Sequence, residues 1–193
     1  MGNDKSNIAI GLPNPKGALY WAPLGTALPT DATTPLASEF VNLGYVTEDG
    51  LTSTTAEEGD DIKAWGPETV ARNQTSYGRN FTFNLLESSR VSVLQFRYGK
   101  SNVKIETDGA ITIDDTGEIL PHGVFVCETI ETNSGGVRRH RQILGDAQFT
   151  DRSGDMTFNN SDAITVPVSL TAYKFADAAG KLVYVKEYYS KKS

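Results

Sequence analysis

Residues 79–85 alternate polar and apolar side chains at a strict period of two, with Phe81, Phe83 and Leu85 on the apolar side. This pattern predicts a β-strand with one face in a core and the other in water. Asp108-Gly109 lies between the short β-branched runs 103–105 and 111–113, which is the pattern of a tight hairpin. A chain with these signals is expected to be built mainly of β-strands.

Later segments continue the same pattern. Runs 124–130 and 137–144 flank a turn signal at 133–136, residues 164–171 alternate around Pro167, and 182–188 form a last strand. Pro167 cannot donate to a ladder, so it predicts an edge or a bulge. Seven to nine short strands and one flanking helix predict a mainly β fold, a β-sandwich or barrel with an extended arm and loop.

The helix is predicted over residues 88–98. Ser88 or Ser89 can cap its start and Gly99 can end it in a left-handed conformation. Apolar side chains recur at three and four residues in that span (Val91, Leu94 and Tyr98). A strand interpretation fits these residues almost as well.

The domain organisation predicted is an extended arm, residues 1–38, followed by one domain, residues 39–193. Five prolines interrupt the arm, and between them Tyr20 and Trp21 are apolar enough to dock on the chain's own domain or on a neighbour. Within the domain, strand segments are expected at 51–55 and up to residue 65, and residues 66–77 are expected to be irregular. Residues 52–76 have few apolar anchors, so they are expected to be disordered in the free monomer.

The charge of the chain argues against several functions. The formal net charge is −6 with a pI near 4.9, whereas proteins that grip nucleic acid through its phosphates are usually basic. The single cysteine, Cys127, lies in an apolar run and is expected to be a buried thiol. The sequence has no apolar run long enough for a bilayer span and no secretory leader at its start, so no membrane association is expected.

Motifs that carry chemistry are scarce. Neither His122 nor His140 has a metal-ligating partner at the usual spacing, and the acidic run 57–61 lacks the pattern of a calcium loop. No cofactor or metal is predicted, and although a long-range Ser-His-Asp set stays possible, no motif favours one. Arg139 and Arg141 are expected to share one face of a strand and Arg138 the other, a pattern that favours salt bridges.

Several segments, taken in order, carry a resemblance to a known family. Residues 40–52 contain a Gly-Tyr-Val-Thr-Glu-Asp-Gly run, followed after a short acidic interval by Lys-Ala-Trp-Gly at 63–66. A Phe-Thr-Phe-Asn-Leu-Leu-Glu strand at 81–87, a helix ending in Tyr-Gly and closing strands near 168–173 and 187–189 follow in order. Over about residues 8–190 the chain resembles the major tail tube proteins of long-tailed siphophages, particularly those of actinobacterial hosts.

The resemblance implies a structural virion protein, not an enzyme. Such proteins form hexameric rings that stack into a tube, and DNA passes through it. The resemblance also implies a long inter-strand loop, here at about 47–77, which makes contacts between rings together with the N-terminal arm. The implied partners are other copies of the chain and the tape measure, tail-tip and tail-terminator proteins. The expected location is the virion tail, with the host cytoplasm before assembly. Combined with the exposed charges, the resemblance gives these contact candidates between subunits: Tyr20, Trp21, Glu57, Glu58, Asp60, Asp61, Trp65, Arg139 and Arg141.

Two other classes stay open at this point. A capsid decoration or head-tail joining protein is also β-rich and belongs to the virion. A carbohydrate-binding or hydrolytic β-sandwich would need a cleft lined by aromatic side chains or a pair of carboxylates, which the sequence alone does not exclude.

Overall fold

The computed structural model describes residues 2–193 and is mainly β, as predicted, with one α-helix among those residues. Two short 3-10 turns, Lys5–Asn7 and Lys100–Asn102, accompany it. The strands and the helix, in chain order, are β1 (Ile10–Pro13), β2 (Leu19–Pro23), β3 (Val41–Asn42), β4 (Val46–Lys63), β5 (Thr69–Leu85), α1 (Val91–Tyr98), β6 (Val103–Ile105), β7 (Ile111–Ile113), β8 (Gly123–Asn133), β9 (Gly136–Asp151), β10 (Val166–Ala172), β11 (Phe175–Ala176), β12 (Leu182–Val183) and β13 (Lys186–Tyr189).

One nine-stranded antiparallel sheet organises the chain, in the order β3-β2-β8-β9-β10-β5-β4. β1 continues the edge formed by β2 along β8, and β13 pairs with the part of β9 that β10 leaves free. Two small ribbons, β6-β7 and β11-β12, stand apart from this sheet. The sheet therefore has several strand edges without a partner in the described chain.

The sheet curls around its main core. Phe81, Phe83 and Leu85 point inward from β5, which confirms the alternation predicted for 79–85. The rings of Phe83 and Phe125 stack with centroids 5.5 Å apart, although β5 and β8 are separated in the sheet by β9 and β10. Two strands that are not neighbours can meet in this way only if the sheet folds over, as in a sandwich or a partly open barrel.

The helix closes one side of this core. Phe96 stacks on Phe149 at 5.1 Å and meets the edge of Trp21 at 5.0 Å. Gly99 ends the helix with φ +90° and donates to the carbonyl of Gln95, as predicted. The predicted capping is wrong, because Arg90 occupies the N-cap position and makes no side-chain cap bond. The buried helical residues are Val93 and Phe96, not the predicted stripe.

The opposite face of the sheet carries a second core. Ala22, Val124, Val126 and Ile143 are buried there beneath residues 24–40, an irregular segment that we call the strap. The strap contributes Leu28, Leu36 and Phe40 to this cluster. Since β1 and β2 pair with β8 as well, residues 2–38 are packed on their own subunit over much of their length.

The hairpins β6-β7 and β8-β9 confirm two predicted turns, and Gly109 takes φ +89° in the first. Pro167 pairs with β5 on one side, but β10 pairs with β9 on its other side only from Ser169 onward. Pro167 therefore lies at a strand edge, as predicted. The predicted last strand is split into β12 and β13.

The segment 47–77 corrects the sequence interpretation most. The sequence predicts an irregular loop over residues 66–77, but β5 already begins at Thr69 and pairs with β4 almost to the turn. β4 and β5 span 18 and 17 residues, so these strands are not short. Their outer parts are exposed on both faces, and a strand with no buried face has no hydrophobic alternation by which to recognise it.

Candidate assembly surfaces

The β4-β5 hairpin extends well beyond the body of the subunit. β10 pairs with β5 only from Arg79 to Leu85, so farther out the two strands pair only with each other. The last support from the body is Tyr184, whose hydroxyl donates to the carbonyl of Tyr77 at 3.2 Å. Tyr77 stands opposite Glu57, and the steps from Glu57 to Lys63, at about 3.3 Å per residue, carry the hairpin roughly 20 Å past that point. Both outer strand edges of this extension lack a strand partner within residues 2–193.

A bulge redirects the hairpin near its middle. The pairing shifts between Glu58, which is opposite Ser76, and Gly59, which is opposite Gln74. Thr75 of β5 therefore has no paired residue on β4. A β-carbon at position 59 would lie 2.8 Å from the carbonyl oxygen of Asn73, so glycine permits the close approach of the strands there. Bulges increase the local twist and bend a ribbon, which sets the direction in which its end points.

The acidic contact candidates lie along the strands of this extension and not at its turn. Glu57 and Asp61 point to one face, and Glu58 and Asp60 to the other. All four are exposed, and within residues 2–193 no cluster of three or more metal-ligating side chains is present. The run therefore presents negative charge in both directions from the hairpin.

The tip is apolar. The turn is closed by the amide of Ala64, which donates to the carbonyl of Glu68 at 2.9 Å. Trp65 is fully exposed at this turn, and Ile62 and Val70 beside it are more than half exposed. A tryptophan left entirely in water is unusual in a subunit that functions alone, because indole burial is worth several kcal/mol elsewhere in proteins.

Tyr20 and Trp21 lie on their own subunit, which answers the question that the sequence left open for the arm. Trp21 packs against Phe96 in the main core. Tyr20 packs against the second core, and its hydroxyl donates to the carbonyl of Lys16 at 3.2 Å. Burial raises the pKa of the Tyr20 phenol. Both side chains therefore anchor β2 inside the subunit.

Arg141 forms a salt bridge, as the basic run predicts, but it lies buried instead of on the surface. It shares a face of β9 with Arg139, as predicted, but only 3% of it is exposed. Its Nε donates to Oε1 of Glu128 at 3.0 Å, and its two terminal nitrogens donate to the carbonyls of Asp31 and Thr34 in the strap. The guanidinium is thus used within the subunit, whereas Arg139 remains exposed.

The turn that Arg141 binds is itself held by a carboxylate. Oδ1 of Asp31 accepts bonds from the backbone amides of Thr33 and Thr34. Hydrogen bonds from the Thr34 hydroxyl, followed by those from the two amides, hold the pKa of Asp31 below its ordinary value. Two charged side chains therefore stabilise the strap: Arg141 from the sheet beneath it and Asp31 from within it.

Both histidines contact acidic and aromatic groups. Nδ1 of His122 lies 2.5 Å from Oδ1 of Asp146, and its ring packs on Tyr173. His140 stacks on Tyr189 at 4.0 Å, with its two ring nitrogens near carboxylates of Glu131 and Glu187. The position of each side chain is accounted for by these contacts within the subunit.

A polar ladder covers the sheet face opposite the main core on β4, β5, β10 and the end of β9. Thr52, Thr82 and Ser169 stand in register there, as do Thr54, Asn80 and Thr171. The hydroxyl of Thr171 lies 3.2 Å from Oδ1 of Asn80 and 2.8 Å from the hydroxyl of Thr150. No lysine or arginine stands at these register positions.

The comparison with protein families decides which kind of β-protein carries these surfaces. A family model described as phage tail tube protein matches residues 1–191. The chain belongs to that family. This tail tube protein is therefore a structural component of the virion tail, not an enzyme. The comparison with curated proteins finds no match.

Family membership also separates the alternatives that the sequence left open. The tail tube assignment covers almost the whole chain, so neither a capsid decoration protein nor a carbohydrate-binding sandwich is favoured. Tail tube proteins self-assemble into a tube, which is consistent with a subunit that has unpaired strand edges. Among residues 2–193, no helix combines the length and the apolar character needed to cross a bilayer.

Proposed function

We propose that this tail tube protein forms six-membered rings that stack into the tube of a siphophage tail, in a phage of an actinobacterial host, and that DNA passes through the bore. The observation that carries the proposal is the β4-β5 hairpin, which leaves the body with two unpaired edges. Tape measure, tail-tip and tail-terminator proteins would be the partners that set the length and ends of the tube.

The unpaired edges support a closed ring. An exposed strand edge invites pairing with another chain, and proteins that stay monomeric usually block such edges. Here β4 ends the sheet on one side, and β3 ends it on the other. A contact between different edges of two copies is heterologous, so it repeats around an axis until the ring closes.

The hairpin supports stacking between rings. Its tip carries Trp65, and its acidic residues are exposed on both faces, so it can reach a neighbour without rearranging the body. We therefore retain Trp65 and Arg139 as contacts between subunits. The four exposed acidic residues of the hairpin are retained as well: Glu57, Glu58, Asp60 and Asp61. Tyr20, Trp21 and Arg141 act in this proposal only by holding the strap and β2 in place.

The polar ladder is the surface best suited to line the bore. DNA must move through a tail without being held, and phosphates are held mainly by lysine and arginine. Hydroxyl and amide side chains without cations offer weak, replaceable contacts. Thr82→Lys and Thr171→Lys are expected to leave tubes intact and slow DNA ejection in low salt. Unchanged ejection from tubes that carry both lysines would oppose this placement of the bore.

Electron microscopy of the concentrated protein, alone and with its tail-tip proteins, tests the proposal directly. Tubes of uniform bore with six-fold rings are expected. A protein that stays monomeric in every condition that supports tail growth would overturn it. Trp65→Ser should reduce tube yield while leaving the melting temperature of the monomer unchanged, because the indole makes no buried contact in the subunit.

A further inference from the structure

The β6-β7 ribbon has an apolar face that is only partly covered. Val103 stands opposite Ile113, and Ile105 opposite Ile111, so all four side chains share one face of the ribbon. Val103 is buried at the end of the ribbon next to α1, but Ile111 and Ile113 are more than a third exposed and Ile105 more than half. We call Ile105, Ile111 and Ile113 the ribbon patch.

A second apolar patch lies at the far end of the strap face. Leu12, Ile130 and Arg139 stand in register across β1, β8 and β9, followed by Ile10, Thr132 and Val137. These rows lie on the same sheet face as the second core, in the part of that face that the strap does not cover. Ile10, Leu12 and Val137 are 65%, 48% and 42% exposed, and we call them the edge patch.

The two patches carry opposite charge around them. The ribbon and the segment after it, residues 103–118, hold five carboxylates and one lysine, Lys104, which is already bonded to Asp114 at 3.1 Å. The edge patch is flanked by four cationic side chains and one acidic side chain, Asp4. Lys192 donates to the carbonyl of Ser6 at 3.2 Å, which holds the C-terminal lysines beside the residues that precede β1. The cations are Lys5, Arg139, Lys191 and Lys192.

The patches also lie on opposite faces of the main sheet. The ribbon contacts α1, which covers the main core, whereas the edge patch belongs to the strap face. Two copies joined by these surfaces therefore leave one patch of each kind free. Such a contact is heterologous and propagates from copy to copy instead of ending in a dimer.

We infer that the ribbon patch of one copy docks on the edge patch of the next, with the acidic rim of the first facing the basic rim of the second. This inference rests on the proposed assembly into a tube and adds to it a contact away from the β4-β5 hairpin. Aliphatic side chains supply the buried area, and the unlike rims set the orientation of the two copies.

Cysteine crosslinking within assembled tubes tests the contact. Protein with Leu12→Cys and protein with Ile111→Cys are mixed, assembled and treated with a short bismaleimide. The native thiol Cys127 is buried and should not react. Crosslinked dimers are expected only from the mixture, and neither variant alone should give them. Leu182→Cys, at an exposed leucine on β12 outside both patches, is the matched control and should give no dimer with either protein.

Assembly thresholds give the second measurement. Leu12→Asp and Ile111→Asp should each raise the lowest protein concentration that yields tubes by about tenfold or more, while Leu182→Asp should not. Melting temperatures of the free subunits check that each variant is folded.

Each outcome decides between the two proposals. Tubes that form without mixed crosslinks, or in which one variant crosslinks to itself, would overturn this contact and leave the tube proposal intact. Failure of every mixture, and of the unmodified chain, to form tubes would remove both.

Discussion

Nε of Arg141 donates a 3.0 Å hydrogen bond to Oε1 of Glu128, and this pair lies beneath the strap, where almost none of the guanidinium reaches water. The remaining guanidinium nitrogens donate to two strap carbonyls. A buried charge is tolerated when its partner and its hydrogen bonds are complete, and removing one member leaves the other charge uncompensated. This ion pair thus adds to the apolar contacts of Leu28, Leu36 and Phe40 in holding the irregular segment 24–40 on the sheet below it.

Arg141→Met is predicted to destabilise the subunit by about 3–5 kcal/mol, because it removes the cation from Glu128, whose side chain is only 13% exposed, and leaves two strap carbonyls without donors. Urea unfolding followed by tryptophan fluorescence measures the loss, and limited proteolysis should show faster cleavage within residues 24–40. Arg139→Met is the matched control two residues away on the same strand face, and it should change stability by less than about 0.5 kcal/mol. Equal losses in both variants would contradict this role of Arg141.

The thiol of Cys127 gives a pH prediction. Burial raises the pKa of this thiol to about 12 from an ordinary value of 9.0. Below pH 9 the thiol is protonated in both the folded and the unfolded chain and does not affect the balance. Above pH 9 only the unfolded chain releases the proton, so stability should fall with rising pH by up to about 1.4 kcal/mol per pH unit.

Chemical denaturation of the wild type and of Cys127→Ala between pH 8 and 10.5 isolates this effect from the lysines and tyrosines, which titrate in both proteins. The difference in stability between the two proteins should shift in favour of the alanine variant as pH rises. Ellman's reagent should also label the native wild type far more slowly than the denatured chain. Rapid labelling of the native protein would contradict the buried position.

Gly123 is predicted to be intolerant of a side chain. A β-carbon there would lie 2.6 Å from the carbonyl oxygen of Ala22 and against the ring of Trp21, so Gly123→Ala should cost about 1–3 kcal/mol through overpacking. Gly11→Ala on the edge strand β1 is the control, since a β-carbon there meets nothing within 4 Å. Thermal unfolding of both variants measures the difference, and equal melting temperatures would show that β2 can shift to make room.

Hydrogen exchange should distinguish the hairpin from the body. Residues 56–76 are hydrogen bonded but exposed on both faces, so their amides are predicted to exchange quickly in the free subunit and to become protected in tubes. Amides of β10, which has partners on both sides from Ser169 to Ala172, serve as the internal control and should be slow in both states. Strong protection of residues 56–76 in the free subunit would be contrary to this expectation.

The elements that sequence reasoning found are those with one wet face and one dry face. Phe81, Phe83 and Leu85 were identified because burial on one side of a strand leaves a period of two. The turn at Asp108-Gly109 was found because a positive φ favours glycine. These signals are local and survive without knowledge of any tertiary contact.

The elements that were missed depend on contacts distant in the chain or on none at all. The sequence around Arg141 predicts salt bridges but not its burial, because its partners lie 13 residues away in Glu128 and more than 100 residues away in the strap. The outer half of β5 was interpreted as a loop because neither of its faces is buried. The prediction of the N-cap is wrong for a similar reason. The packing of Phe96 against Phe149 and Trp21, which are distant in the chain, determines the position of α1.

The hairpin past Tyr184 makes no pairing with the body, so a single protease cut near its turn would leave the two cores and the strap as they are. A cleaved subunit would still join the growing end of a tube through its intact surfaces. It would lack the hairpin with which to contact the next subunit. If the hairpin joins successive rings, a small fraction of cleaved copies would stop the growth of the tubes that incorporate them. The mean tube length would then fall as the cleaved fraction rises.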